Sequence, residues 1–175
     1  KVGSKGLIDS VTDKEILSAY RLVAAKEGVF VEPSSAAGTA GLIKLKGQKK
    51  LPKDKTIVVT GTNGKATTCK LLQHLLKKNK LKCYLGGNIG KPILDLNISK
   101  NSYVIIEASS FQLSHSKFIC PNYAFLLNLT NDHLDWHGNI SRYINSKLKI
   151  FVSQKRNQFA LVNNKFKKTD LRNGQ

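Results

Sequence analysis

A loop of the type that binds phosphate is the clearest chemical pattern in this 175-residue sequence. A β-branched run is joined to a segment of helical periodicity by Thr60-Gly61-Thr62-Asn63-Gly64-Lys65. The backbone N–H groups of such a loop and the N-terminus of the following helix can hold an anion, and the lysine can reach the outer phosphates of a nucleotide. The pattern is imperfect, because Val59 and Ala66 stand where the general motif has glycine and serine or threonine. An ordinary glycine-rich turn stays open as the alternative.

Strand and helix patterns alternate from residue 56 onwards. A fold of this kind would bring the loop and the polar residues at other strand ends to one edge of a sheet. Because this alternation is typical of a parallel sheet covered by helices, we predict an α/β fold with a P-loop-type parallel sheet and flanking helices. Ligands bind at the carboxyl ends of the strands in such folds. Glu107 ends one strand, where its oxygens could hold Mg²⁺ or simply face solvent. The predicted strands are 56–60, 81–85, 103–107, 124–129 and 159–162, and the predicted helix between the first two is 67–78.

The first 55 residues follow a different, mainly helical pattern. Thr12 and Glu15 predict a capping box for a helix over residues 12–27, which Gly28 ends. A short strand is predicted at residues 29–32, and a second helix, rich in alanine and glycine, over residues 34–45. A charged linker at residues 46–55 contains Gly47 and Pro52. The change of pattern divides the chain into residues 1–55 and residues 56–175.

The formal net charge of +18 favours contact with polyanions, but its distribution argues against a dedicated nucleic-acid surface. Most of the 29 basic residues are lysines spread over every segment, as on ordinary solvated faces. The three cysteines are widely spaced and form no metal-binding pair, which favours a reduced cytoplasmic setting. No apolar run reaches the roughly 20 residues of a membrane span. We therefore expect a cytoplasmic monomer without specific nucleic-acid or membrane partners.

Further motifs follow the loop, and in order and spacing they resemble the D-glutamate-adding branch of the Mur ligase family over residues 56–162. The Ser-Ser-Phe-Gln-Leu run at residues 109–113 separates this branch from the relatives that add other amino acids. The resemblance implies an ATP- and Mg²⁺-dependent ligase that adds D-glutamate to UDP-N-acetylmuramoyl-L-alanine through an acyl phosphate, in peptidoglycan synthesis. The motifs are Gly86-Gly87-Asn88-Ile89-Gly90-Lys91-Pro92, Glu107-Ala108-Ser109-Ser110-Phe111-Gln112-Leu113, Asn128-Leu129-Thr130-Asn131-Asp132-His133-Leu134-Asp135-Trp136-His137-Gly138, and Tyr143 followed by Lys147.

The resemblance also implies roles for individual residues. Catalysis would involve Lys65, His133 and Lys147. Glu107 and His133 would contact Mg²⁺, and Lys147 would bind the metal after carbamylation by CO₂ converts its cation into an anion. A packed polar group is the alternative for His133, and a solvated side chain is the alternative for Lys147. The nucleotide and the acyl substrate would be held by Gly61, Thr62, Asn63, Gly64, Lys65, Ala66, Thr67, Asn88, Ser109 and Gln112, the last three having turn and packing roles as their alternative.

Residues 1–55 resemble a second family through Val11-Thr12-Asp13, the run Glu-Gly-Val-Phe-Val-Glu-Pro-Ser-Ser-Ala-Ala at residues 27–37, and Ala40-Gly41-Leu42. These motifs are similar to the C-terminal end of threonine synthase, a pyridoxal-phosphate enzyme. That family's Schiff-base lysine and phosphate loop have no counterpart here, so no pyridoxal phosphate is expected to bind. A threonine synthase fragment and a non-functional fusion of both families, joined near Thr60-Gly61, stay open as alternatives. We expect incomplete catalysis and two segments that do not share one cooperative core.

Overall fold

A computed structural model describes residues 7–27, 33–47 and 56–163. The strands are β1 (Leu7–Val11), β2 (Thr56–Thr60), β3 (Cys83–Gly87), β4 (Tyr103–Glu107), β5 (Tyr123–Leu126) and β6 (Phe159–Asn163). The helices are α1 (Asp13–Glu27), α2 (Pro33–Gly47), α3 (Lys65–Lys78), α4 (Ser110–His115), α5 (Leu134–His137) and α6 (Ile140–Val152), and a 3-10 turn lies at Ile93–Asp95. The strands form one parallel sheet in the order β1-β6-β5-β2-β4-β3. The predicted α/β fold is confirmed.

The predicted element boundaries differ from the observed ones at particular points. β4 has the predicted bounds, whereas α3 begins before residue 67 and β5 ends before residue 129. β1 has no counterpart among the predicted strands. The strand predicted at residues 29–32 and residues 48–55 of the predicted linker lie outside the described residues. No helix within the described ranges combines the length and the apolar character that crossing a membrane requires.

Alternating burial along the strands divides the core into two apolar layers. In β2, Ile57 and Val59 lie in one layer and Val58 lies in the other, because successive side chains of a strand point to opposite faces of the sheet. β5 and β6 contribute to both layers in the same way. Helices α1, α2 and α3 supply buried side chains to the first layer, and α4 and α6 supply them to the second.

Two glycines allow α2 to approach the first layer closely. A Cβ atom at Gly41 would lie 2.5 Å from Cδ1 of Leu161, a residue of β6. A Cβ atom at Gly38 would lie 2.9 Å from Cγ2 of Thr68 and 3.0 Å from Cδ2 of Phe125. All three distances are shorter than van der Waals contact, so the small-residue face of α2 fits against side chains of the sheet and of α3.

The described parts of residues 1–55 and 56–175 pack into one apolar layer, whereas the sequence predicts that the two segments do not share one cooperative core. β1 pairs in parallel with β6, and Val11 is the register partner of Asn163. Ile16 and Val23 of α1 are buried in the same apolar layer as the side chains of β2 and β5. The physical reason is that the apolar stripe of α1 and the small residues of α2 cover a sheet face that is itself apolar. Whether the two parts also unfold together stays a prediction.

Candidate functional site

The predicted phosphate-binding loop lies between β2 and α3, at the carboxyl edge of the sheet. Gly64 takes the N-cap position of α3 with a φ of 78°, a left-handed conformation that favours glycine. No side chain caps this helix end, so the N–H groups of the first turn can be directed at an anion. Nζ of Lys65 donates to the carbonyl oxygens of Gly61 (3.0 Å) and Thr62 (2.7 Å), which holds the ammonium group beside the loop.

Part of the loop backbone is hydrogen-bonded to Asn128, which follows β5. The carbonyl oxygen of Asn128 accepts from the N–H of Thr62 at 3.0 Å, and Oδ1 accepts from the N–H of Asn63 at 2.8 Å. Nδ2 of Asn128 donates in turn to the carbonyl oxygen of Asn63 at 3.0 Å. The predicted binding of phosphate by the N–H groups of Thr62 and Asn63 stays a prediction, because both groups donate within the protein in this structure. The anion site that the geometry leaves is the first turn of α3, where Ala66 and the exposed Thr67 lie.

A second set of contacts fixes the loop from the side of α6. The Thr62 hydroxyl lies 2.7 Å from the Tyr143 hydroxyl and accepts from the N–H of Thr130 at 3.0 Å. Thr62 and Tyr143 are both buried, so these hydrogen bonds are shielded from water. Together with the Asn128 contacts, they hold the loop in one shape before any ligand binds.

Glu107 lies at the end of β4, next to β2, and its side chain is buried. Oε1 accepts from Nδ2 of Asn88 at 3.0 Å, whereas Oε2 is buried without a hydrogen-bond partner. Asn88 can approach because Gly87 precedes it: a Cβ atom there would lie 2.3 Å from the carbonyl oxygen of Glu107. A buried carboxylate oxygen without a partner is costly, and a hard cation such as Mg²⁺ would satisfy it. Glu107 therefore fits a metal site, and the solvated-acid alternative is wrong.

Lys147 is buried in α6 beside the loop, so the solvated alternative is wrong for this residue as well. Its Nζ donates to the carbonyl oxygen of Gly61 at 2.8 Å and lies 4.8 Å from the centre of the Tyr143 ring. Burial, assisted by the neighbouring charge of Lys65 and opposed by that of Asp132, lowers the pKa of Lys147 to about 7. A large fraction of this amine is therefore neutral at pH 7.

The structure does not bring His133 into a metal cluster with Glu107. His133 is exposed, takes the N-cap position before α5 with a φ of 51°, and has Nε2 3.3 Å from Oδ2 of Asp132. Its ring packs on Phe111 at 4.8 Å between centroids. Within the described residues, no group of three or more histidine, cysteine, aspartate and glutamate side chains is arranged to hold a metal ion. Metal contact by His133 thus stays a prediction.

Ser109 and Gln112 have the turn role that the sequence left open for them. The N–H of Gln112 donates to the Ser109 hydroxyl at 3.2 Å, and Oε1 of Gln112 accepts from the N–H of Ser109 at 3.0 Å. These contacts form a capping box at the start of α4. Their predicted contacts with nucleotide or acyl substrate stay predictions, while Asn88 is engaged with Glu107.

Four residues near the loop had no assigned role in the sequence interpretation. Three of them contact or influence the candidate residues: Asn128 and Tyr143 fix the loop, and Asp132 acts electrostatically on Lys147. The fourth, His137, is buried with Nε2 unpartnered, and burial followed by the charges of His133 and Lys147 lowers its pKa. Three of these residues, Asn128, Asp132 and His137, belong to the polar run after β5. The amide, carboxylate and imidazole groups of this run, at the carboxyl edge of the sheet, were the sequence pattern that could have indicated their roles.

Replacing Lys147 by methionine should stabilise the protein at pH 6 in CO₂-free buffer, by on the order of 2 kcal/mol. Below pH 7 the lysine is protonated in both the folded and the unfolded state, so the cost of burying its charge is present in full. Between pH 7 and the ordinary value of 10.5, only the unfolded chain binds the proton, and the stability of the wild-type protein rises with pH. The increase in the free energy of unfolding that Lys147→Met gives over the wild type should therefore shrink by about 2 kcal/mol between pH 6 and pH 9.

Urea unfolding at both pH values measures this gain. Lys70→Met, at an exposed position of α3, is the matched control and should show no such pH dependence. A gain from Lys147→Met that is equal at pH 6 and pH 9 would contradict the lowered pKa of Lys147.

Two protein families match different parts of the chain. A model described as "Mur ligase middle domain" matches residues 59–173, and one described as "Pyridoxal-phosphate dependent enzyme" matches residues 4–62. The two matches overlap at residues 59–62, close to the join expected from the sequence.

Curated relatives and solved structures agree with the first of these matches. The chain is 37% identical over 158 residues to UDP-N-acetylmuramoylalanine–D-glutamate ligase of Trichlorobacter lovleyi, covering 86% of this chain and 35% of that protein. It is 47% identical over 107 residues to the ligase of the same name from Rickettsia felis, covering 61% of this chain and 24% of that protein. The chain thus spans between a quarter and about a third of the length of these relatives. The crystal structure of MurF ligase from Thermotoga maritima in complex with ADP aligns with a TM-score of 0.53 and 26% identity, covering 82% of this chain and 35% of that chain.

Proposed function

The chain belongs to the Mur ligase family through its middle domain, and from this premise we propose that it is the ATP-binding part of a ligase that adds D-glutamate to UDP-N-acetylmuramoyl-L-alanine. The names of the relatives in Trichlorobacter lovleyi and Rickettsia felis support the choice of D-glutamate. The ADP bound in the Thermotoga maritima ligase supports ATP as the nucleotide. A cytoplasmic location follows from the proposed use of ATP.

The convergence of two lysines on the carbonyl oxygen of Gly61 carries this proposal. Nζ of Lys65 and Nζ of Lys147 both donate to that oxygen, and the uncapped N-terminus of α3 lies beside them. The ammonium group of Lys65 and this helix N-terminus form a site for a polyanion such as the triphosphate of ATP, and the buried amine of Lys147 lies beside them. We propose that Lys65 contacts the outer phosphates and that the first turn of α3, including Ala66 and Thr67, contacts them through its N–H groups.

For the metal, the residue that fits is Glu107, through its unpartnered Oε2. Lys147 could become a second anionic ligand, because a neutral amine can add to CO₂, lose a proton and form a carbamate, and the pKa of about 7 supplies the neutral amine. His133 is proposed as a further contact. Bound Mg²⁺ would neutralise charge on the phosphoryl group that is transferred.

In the proposed reaction, the carboxylate of UDP-N-acetylmuramoyl-L-alanine attacks the γ-phosphorus of ATP and releases ADP. The amine of D-glutamate then attacks the resulting acyl phosphate, loses a proton and displaces phosphate. The residues of this chain would hold and orient the phosphates during the first step, which is mainly a matter of positioning and charge. The proposal for the described residues is limited to this nucleotide half, because the chain covers only 24% and 35% of the two relatives.

A non-functional fusion is the second candidate, and the match of residues 4–62 to pyridoxal-phosphate-dependent enzymes favours it. That match covers the segment in which the sequence lacks a Schiff-base lysine of recognisable context, so we do not propose pyridoxal phosphate as a ligand. ATP binding distinguishes the two candidates, because a fusion product without function has no reason to retain it.

Calorimetric titration with ATP, in the presence and absence of Mg²⁺, tests the proposed site. The wild-type chain should bind Mg-ATP more tightly than ATP alone. Glu107→Gln should lose that Mg²⁺-dependent gain, weakening Mg-ATP by at least about tenfold while leaving ATP alone nearly unchanged. The amide can still accept from Asn88, so the fold should tolerate the change.

Asp95→Asn is the matched control, since it makes the same change at an exposed carboxylate of the 3-10 turn. Equal weakening in both variants would point to a loss of general charge rather than of a metal ligand. Absence of any ATP binding by the wild-type chain would favour the non-functional fusion.

A further inference from the structure

The buried hydroxyl of Tyr143 begins a series of hydrogen bonds whose direction follows from counting protons. Oγ1 of Thr62 lies 2.7 Å from the Tyr143 hydroxyl, accepts from the N–H of Thr130 at 3.0 Å, and lies 3.2 Å from the carbonyl oxygen of Thr130. The Thr62 hydroxyl has one proton to give, either to Tyr143 or to Thr130. If that proton went to Tyr143, the phenol proton would have no acceptor among the described residues. Tyr143 is therefore the donor to Thr62, and Thr62 is the donor to Thr130.

The surroundings of Tyr143 hold this hydroxyl in one place. Tyr143 is 0% exposed, so water does not compete for its hydrogen bond with Thr62. Burial raises the pKa of Tyr143, which keeps the phenol protonated and able to donate. The ring of His137 packs edge-on against the Tyr143 ring at 5.3 Å between centroids and restricts its orientation.

Both lysines of the candidate nucleotide site are connected to Tyr143. The carbonyl oxygen of Thr62 accepts from Nζ of Lys65 at 2.7 Å, so the position of Thr62 determines where this ammonium group lies. Nζ of Lys147 lies 4.8 Å from the centre of the Tyr143 ring and donates to the carbonyl oxygen of Gly61. One aromatic side chain thus fixes the loop through its hydroxyl and contacts the second amine through its ring.

We propose that Tyr143 is a positioning residue of the nucleotide site, whose hydroxyl acts through Thr62 to hold Lys65 where the outer phosphates of ATP would lie. This inference rests on the proposed function. A cation that is already in place before the ligand arrives loses less freedom on binding, which favours affinity. Loss of the Tyr143 hydroxyl should therefore weaken ligands that reach Lys65. AMP has no outer phosphates and should not respond to the change.

Titrations of the full chain with ATP and with AMP test this role, and chemical shifts measure both because they detect weak binding as well. Tyr143→Phe removes only the hydroxyl and should weaken ATP about fivefold, while changing AMP affinity by less than about twofold. Thr62→Val should also weaken ATP selectively. The double variant should bind ATP no more weakly than Thr62→Val alone, because both changes break the same series of hydrogen bonds.

Tyr84→Phe is the matched control, because the hydroxyl of Tyr84 bonds to Ser99 and its loss should leave both affinities unchanged. The inference is overturned if Tyr143→Phe binds ATP as the wild type does, or if it weakens ATP and AMP equally, as a merely structural change would. Additive effects of Tyr143→Phe and Thr62→Val would overturn it as well. These outcomes leave the proposed function standing, whereas a wild-type chain that binds no ATP would overturn the proposed function and this inference together.

Discussion

Replacing Lys65 by alanine is expected to weaken ATP binding by at least about 100-fold, in effect abolishing it at accessible concentrations. Nζ of Lys65 is held beside the loop by the carbonyl oxygens of Gly61 and Thr62, next to the N-terminus of α3. A phosphate at that helix end would give the ammonium group an anionic acceptor in place of these neutral ones, which adds the attraction of opposite charges to the hydrogen bond. The variant loses both the bond and the cation that compensates the triphosphate.

Calorimetric titration with ATP and Mg²⁺ measures the effect, with Lys70→Ala as the control. Lys70 lies on α3 and is exposed, so its removal changes the net charge equally without touching the loop. Lys70→Ala should change the affinity by less than about twofold, since exposed charges are screened by salt. If Lys65→Ala and wild type give equal heats, the loop is an ordinary glycine-rich turn and the assignment of an ATP site is wrong.

The fold was predictable where side-chain patterns are local. β2 and β4 are β-branched apolar runs that end in polar residues, and the predicted bounds of both strands agree with the observed ones. β1 was not predictable, because its sequence Leu-Ile-Asp-Ser-Val alternates poorly and pairs with β6, about 150 residues away. The end of β5 was also misplaced. The apolar run continues, but after Leu127 donates to Thr60 the backbone turns so that Asn128 can bind the loop.

The site was predictable in its residue types and less so in its contacts. The motifs pointed to Glu107 and Lys147, and both are buried at the carboxyl edge of the sheet. Ser109 and Gln112 carried an unused local signal, because serine followed three residues later by glutamine is the spacing of a capping box. The contacts of Asn128 and Tyr143 with the loop could not be read from sequence, since each spans more than 60 residues.

The packing of α2 predicts a further large effect, on stability. Gly41→Leu should lower the free energy of unfolding by about 3 kcal/mol, because the new side chain would overlap with the buried Leu161. The sign of the effect is informative. In an isolated or loosely attached helix, the same change would be stabilising, since leucine favours helix over glycine by nearly 1 kcal/mol. Urea unfolding therefore distinguishes an integrated segment from a detached one by the direction of the change.

Ser18→Leu is the control, because it introduces leucine at an exposed position of α1 and should change stability by less than about 0.5 kcal/mol. A double variant sharpens the result. Leu161→Ala alone should be destabilising through its cavity, and combining it with Gly41→Leu should recover much of the loss, because one side chain then fills the volume of the other. Destabilisation with recovery requires that α2 and β6 touch and unfold together, so the two family segments would form one cooperative core. A stabilising Gly41→Leu, without coupling to Leu161→Ala, would show instead that residues 1–55 are an attached fragment whose contacts with the sheet carry no stability.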